Sequence, residues 1–406
     1  MKRQILTLML LLMTSVAAMA QEKLETISGI VTERGTLQPL GQVNVSVENS
    51  STATVTNADG KFVLKMAKLP KRIILSHVGY KTRFVNVPED GSTLQVTLSP
   101  STYQLSEILV FPQDAEEFLK IALSRVIANY GNKPRLMQTF YRETVQKRSN
   151  YIYIAEAVGE LLKSGYHHKG FGRDWVSVLK GRRLVSTRQS DTLGVKIQGG
   201  PVLMNSLDVV KNPQIIFDPD DMRHYMYSFD APIMIDDRLQ QVVVMHPMKT
   251  SPTALYHGRI YIDSETYTIT RAELTLDMSD RDAATRLMLI KKPVGLKFKP
   301  KELSMVVTYV RDGEFSRINY LRTQMRFNCD WKRKLFSTSF TAVTEMVVTD
   351  QLSEVKGKPE IGTFGSRDLF FDKVGMFDDP HFWADYNIIE PTESLEQAVE
   401  KIKKRR

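Results

Sequence analysis

The chain has 406 residues, a hydrophobic fraction of 42%, a charged fraction of 25% and a formal net charge of +9. These values exclude a disordered or collagen-like chain and allow two or three domains with a sizeable core. The single cysteine, Cys329, excludes an intramolecular disulfide. Its β-like surroundings, Met325-Arg326-Phe327-Asn328, predict a small buried side chain in place of a nucleophile.

Lys2 and Arg3 precede an apolar run over residues 6–12, and Ala18-Met19-Ala20 places small residues before Gln21. This three-part layout predicts a secretory leader over residues 1–20, and so export to the periplasm or to an outer-membrane or cell-surface position. No cysteine stands at the cleavage point to carry a lipid. No later stretch reaches the ~18 apolar residues of a membrane helix, so no transmembrane helix is expected after the leader. Loss of Lys2 and Arg3 lowers the formal charge from +9 to +7. The surplus gathers in residues 169–196 and 401–406. Such segments can touch anionic lipid or glycan, but a solvated charged face is the plainer expectation; nucleic acid is not expected for an exported chain.

Residues 21–100 read as a first domain of short strands. Val43, Val45 and Val47 alternate with polar residues, as do Phe62, Leu64 and Met66, and then Leu94, Val96 and Leu98. A period of two puts each set on one face, and the turns Asn57-Ala58-Asp59-Gly60 and Asp90-Gly91 separate them, which predicts a β-sandwich. The segments Ser28-Gly29-Ile30-Val31-Thr32, Pro39-Leu40-Gly41-Gln42-Val43, residues 54–62 and Leu75-Ser76-His77-Val78-Gly79-Tyr80 resemble the carboxypeptidase-like regulatory domain. That module also occurs at the N-termini of Bacteroidetes outer-membrane receptors. The resemblance implies a prealbumin-like sandwich without activity of its own. Its motif residues build the fold: Asp59-Gly60 reverses the chain so that Phe62 enters the core, and Tyr80 covers an edge. The peptidase itself is not expected, because none of the seven histidines has a Glu three residues on and there is no HExxH.

Residues 101–135 form a connector. Pro112 ends an exit strand, Asp114 caps a helix with Glu117 completing a capping box, and Phe118, Leu119, Ala122, Val126 and Ile127 make an apolar stripe running to about Tyr130. Gly131 and Pro134 end it. Residues 136–350 then read as long strands: 140–147, 151–162, 239–246, 256–262, 267–278, 303–310, 316–327 and 337–348, with hairpin turns at 148–150 and 263–266. This pattern predicts a large curved antiparallel sheet. Gly258-Arg259-Ile260-Tyr261-Ile262-Asp263 and Ile269-Thr270-Arg271-Ala272-Glu273 resemble hairpins of LolA-like half-barrels. The order of parts is similar to the periplasmic portion of the Bacteroidetes family DUF5686. Arg142, Glu143, Lys147, Arg271 and Glu273 interrupt any lipid-facing band, so a transmembrane barrel is not expected. Residues 351–406 form a loop and a basic helix. Trp383 and its aromatic neighbours dock the tail on the sheet, Thr392 and Glu393 open a helix over 395–402, and cations close it.

Asp218-Pro219-Asp220-Asp221 with His224 is the densest polar cluster, and His167-His168 lies in a Gly-rich basic loop. Acidic turns after proline are common, and no nucleophile elbow or P-loop occurs. The expected fold is therefore mainly β: sandwich, connecting helix, curved sheet and C-terminal helix. The expected function is that of an exported, non-catalytic envelope protein that binds or assembles a protein, glycan or lipid partner, with peripheral membrane contact allowed. No catalytic, metal or cofactor residue is assigned. A periplasmic carrier of a lipid or other apolar ligand is one alternative, and a hydrolase pairing His224 with Asp218 or Asp221 is another. A hollow apolar sheet favours a carrier, and a filled one favours a scaffold.

Overall fold

The computed structural model describes residues 24–101, 114–167, 174–188, 194–248, 254–331, 337–352, 364, 370, 374–376, 383 and 385–404. The leader, His168 and His381 lie outside them.

The first strands are β1 (Glu25–Glu33), β2 (Asn44–Val47), β3 (Ala53–Val55), β4 (Lys61–Met66), β5 (Arg72–Ser76), β6 (Arg83–Asn86) and β7 (Leu94–Leu98). They form two sheets, β4-β1-β7 and β3-β2-β5-β6, the sandwich that the alternation predicted. Val31, Val43, Val45, Leu64, Leu75 and Leu98 are wholly buried between them. Gly60 has φ +73°, and a Cβ there would meet the Val31 carbonyl at 2.3 Å, so the turn needs glycine. Asn57 Oδ1 accepts the amides of Asp59 and Lys61 and closes that turn. Tyr80 packs on this core and donates to Glu33 at 3.0 Å.

Helix α1 (Ala115–Ser124) is capped by Asp114, which accepts the amides of Glu116 and Glu117. The expected unbroken helix is interrupted at Arg125 and resumes as α2 (Val126–Tyr130). The break shifts the helical phase: α2 buries Val126 and Tyr130, and Ile127, expected in the apolar stripe, is 49% exposed.

The large sheet contains β8 (Arg135–Lys147), β9 (Asn150–Lys163), β10 (Trp175–Val185), β12 (Tyr225–Ile235), β13 (Arg238–Pro247), β14 (Tyr256–Asp263), β15 (Ile269–Leu276), β17 (Leu296–Asp312), β18 (Phe315–Trp331), β19 (Thr338–Leu352) and β20 (Gly375–Met376). Strands β11 (Lys196–Ile197) and β16 (Leu289–Lys291) pair separately. The large sheet runs β12-β13-β14-β15-β17-β18-β19-β8-β9-β10-β20, antiparallel except for β20 at its edge. Bulges in β9, β10, β12, β17 and β19 bend the strands. Pro232 sits at the bulge in β12, an edge strand that can spare an amide.

The inner face is apolar and is covered by α1, α2, α3 (Pro201–Ser206) and a 3-10 turn at Pro213–Ile215. A second apolar cluster on that face gathers Phe298, Phe327, Phe340 and Cys329. Cys329 is 1% exposed, and burial pushes its thiol up to about 11, in line with the expected structural role. The outer face carries the sandwich and the tail. Val55 meets Phe140, Val158, Tyr320 and Val347 there, with Trp383, Ile388 and Ile389 wedged alongside. Helix α6 (Glu393–Lys403), capped by Thr392, lays Leu395 and Ile402 on Ile154 and Leu184.

The basic segment at 169–196 is not simply a solvated face. Arg182 lies on β10, pairs with Glu156 at 2.8 Å and stacks over Trp383 at 5.0 Å. Arg142, expected to interrupt a lipid band, pairs with the same Glu156 at 2.7 Å and donates to the Ile389 carbonyl. Burial alone would raise the Glu156 carboxyl, but the two guanidiniums win and hold it below its ordinary value.

Candidate ligand-binding cavity

The inner face is filled at its centre and hollow at one side. The filling segment is pinned by a buried ionic network. Lys163 Nζ lies 2.8 Å from Asp208 and 3.2 Å from Asp174, and donates to Asn205 at 3.0 Å. Tyr166 and Tyr309 donate to Asp208 at 3.0 and 2.7 Å, and Lys211 Nζ donates to the Ser164 and Gly165 carbonyls. Burial pushes the Asp174 carboxyl upward, yet Lys163 and the Asn205 amide bring it down to about 2. Lys163 is held above its ordinary value, because Asp208 and Asp174 outweigh its desolvation. These contacts satisfy the charges and fix residues 200–217 across the sheet.

Beside that anchor is a cavity of about 610 Å3. Its apolar wall comes from Leu203, Met204 and Leu207 on the inserted segment, Leu255 and Tyr256 at the start of β14, and Leu303 and Met325 on β17 and β18. Helix α5 (Arg281–Met288), capped by Asp280, forms the remaining side. It buries Ala283, Ala284 and Met288, and presents Leu287 and Arg286 to the opening. Gly200 starts α3 with φ +97°, and its amide donates to the Tyr141 hydroxyl at 2.9 Å, which sets the direction of Pro201 and Leu203. The polar lining is Gln198, Ser206, Gln214, Asp221, Thr323 and Thr344, with Arg286 at the opening. The Ser206 hydroxyl is already committed to the Leu203 carbonyl at 2.6 Å. Burial pushes the phenol of Tyr256, on the wall, up to about 12. A concave space of this size with a mainly apolar wall suits a small apolar molecule or chain.

A second depression, about 550 Å3, lies on the outer face of β12–β15 and β17. It brings His246 and His257 to 5.8 Å between ring centroids, with Arg259 paired to Asp230 at 3.1 Å. Two histidines fall short of a metal ligand set. Among the described residues no group of three or more His, Cys, Asp or Glu could hold a metal ion.

The polar clusters singled out in sequence have other employments. Asp218 caps α4 (Pro219–Met222) by accepting the Asp220 amide, and Asp220 pairs with Arg223 at 3.6 Å. Asp221 lines the cavity, and its carbonyl accepts the His224 amide at 2.9 Å. His167 is exposed. The cavity wall escaped the sequence reading because it is assembled from segments scattered between Gln198 and Thr344; its one local signal is Gly199-Gly200-Pro201, a helix start.

A family model described as the CarboxypepD_reg-like domain matches residues 27–110. No curated protein matches the chain. Among solved structures, a DUF1329 family protein from Desulfovibrio piger is similar with a TM-score of 0.23 and 11% identity, over 58% of this chain and 94% of that one. A LolA superfamily protein from Nitrosomonas europaea is similar with a TM-score of 0.20 and 12% identity, over 60% of this chain and 98% of that one. Residues 27–110 are thus similar to a named module, and that match spans the sandwich.

Proposed function

We propose that this chain is an exported, non-catalytic envelope protein that holds an apolar ligand of the lipid class in the inner-face cavity and meets a protein or envelope partner through its sandwich. The expected leader, the Bacteroidetes receptor module that the sandwich resembles and the DUF5686-like order of parts support the envelope assignment. The observation that carries the binding assignment is the 610 Å3 hollow walled by Leu203, Leu207, Leu255, Leu303 and Met325. Each methylene moved from water into such a space contributes about 0.8 kcal/mol, so an acyl chain gains affinity without a dedicated polar anchor.

The test is organic extraction of protein purified from native membranes, followed by mass spectrometry. A lipid or acyl species recovered near one per chain, and absent from the Leu203→Glu variant, is the expected result. Extracts free of lipid, or equally loaded in both proteins, contradict the assignment.

A further inference from the structure

The cavity opens onto an unusual stretch of surface. Leu287 is 45% exposed, Ile290 50% and Val294 fully exposed, within eight consecutive positions. They are held there by ordered structure. Met288 and Leu296 on either side are buried, and the Gln198 amide donates to the Met288 carbonyl at 3.1 Å. The Leu296 amide closes a turn on the Pro293 carbonyl, and Lys292 Nζ donates to the Leu296 carbonyl at 3.0 Å. Gly295, at φ +84°, completes that turn and leaves Val294 at its tip.

Cations predominate around these side chains, with Asp330 opposite Lys297 across β17 and β18 and Asp282 one turn from Arg286 as the nearby acids. Arg286, Lys291, Lys292 and Lys297 are exposed, and residues 286–297 contain no acid. In the two-stranded sheet Lys291 stands directly opposite Lys196, also exposed. Like charges in cross-strand positions repel, and among the described residues Lys196, Lys291 and Arg286 form no ion pair. Isolated lysines on a surface need no explanation. A fixed apolar tip beside the unpaired cations Lys196, Arg286 and Lys291 at a cavity mouth matches a surface that is anionic outside and apolar beneath.

The geometry points to docking of this rim on an anionic phospholipid bilayer, with Ile290 and Val294 entering the headgroup boundary and Lys196, Arg286 and Lys291 meeting lipid phosphates. Docked in this way, the mouth marked by Arg286 and Leu287 faces the leaflet, giving a lipid a short path to the cavity. This surface stands apart from the ligand assignment, because vesicle binding requires no loaded cavity and each can fail alone.

The test is flotation of the chain from Gln21 onward with vesicles of phosphatidylcholine alone or mixed with phosphatidylglycerol. Binding to the mixed vesicles that weakens with added salt is expected. Ile290→Ser with Val294→Ser lowers the partition coefficient about tenfold, equivalent to roughly 1.4 kcal/mol. Lys196→Glu with Lys291→Glu abolishes the preference for anionic vesicles. Lys401→Ser with Lys404→Ser, on the basic tail helix, leaves both unchanged. All four rim positions are exposed, so urea midpoints match those of the parent and keep the comparison sound. Absence of vesicle binding overturns the inference, as does equal loss in the tail variant. So does a change in oligomeric state on gel filtration in the Ile290/Val294 variant with vesicle binding intact, which assigns the patch to a protein contact.

Discussion

His77 stands where the sandwich meets the large sheet, and burial there pushes its imidazole down to about 4, with the Arg271 charge adding to the effect and Glu273 opposing it. Above pH ~6.5 the side chain is neutral in both folded and unfolded states. As pH falls from there towards 4 only the unfolded chain takes up the proton, so stability is lost, by roughly 2 kcal/mol at pH 5 from this group. Urea midpoints at pH 7.5 and 5.0 measure it, and His77→Gln should narrow the gap by that amount. Glu156 presents the opposite case. It neutralises the buried Arg142 and the largely covered Arg182, so Glu156→Ala removes the counter-charge of both and should cost about 3–5 kcal/mol in urea unfolding. Cys329, with its thiol held at about 11, should resist alkylation in the folded chain and react once urea unfolds it. The buried apolar role of Cys329 was legible from its neighbours. The roles of His77 and Glu156 were not, since each is set by residues far along the chain.

Elements follow the same division. The sandwich was readable because period-two alternation and turn residues such as Asn57 and Gly60 are local signals. So were α6, through Thr392, and the start of α1, through Asp114. Strand β10 was hidden by Lys180, Arg182 and Arg183, whose charges read as solvated until Glu156 on β9 is brought beside Arg182. Edge strand β12 was hidden by Pro232, and α5 by its short length. The tail crosses from sheet to sandwich: Arg142 holds the Ile389 carbonyl, Thr54 that of Ile388 and Asn57 that of Pro391. Asn387 also makes two hydrogen bonds to the backbone of Lys65 on β4. Trp383→Ala removes a buried wedge and a stacking partner of Arg182, and should destabilise by about 3–5 kcal/mol. The segment at 200–217 depends on Asp208. Hydrogen exchange in Asp208→Ala should accelerate across 200–217 and leave β1–β7 unchanged; uniform acceleration would show that the network supports the whole fold.

Across the whole molecule, one bent sheet carries different cargo on its two faces. The outer face is covered by the sandwich and the tail over β8, β9, β18 and β19 and left open over β12–β15. The inner face is filled where the Lys163–Asp208 network stands and left hollow beside α5. The hollow opens to solvent, so its apolar wall of Leu203, Leu207, Leu255 and Met325 forgoes the free energy of burial until something covers it. That uncovered apolar wall is the physical reason for the ligand proposed above. The most direct measurement is equilibrium titration of delipidated protein with a fluorescent fatty acid, run in parallel on Thr323→Trp, which places an indole in the hollow. The account predicts saturable binding near one per chain in the parent and at least about tenfold weaker binding in the variant. Unsaturable binding, or identical affinity in the two proteins, would contradict it.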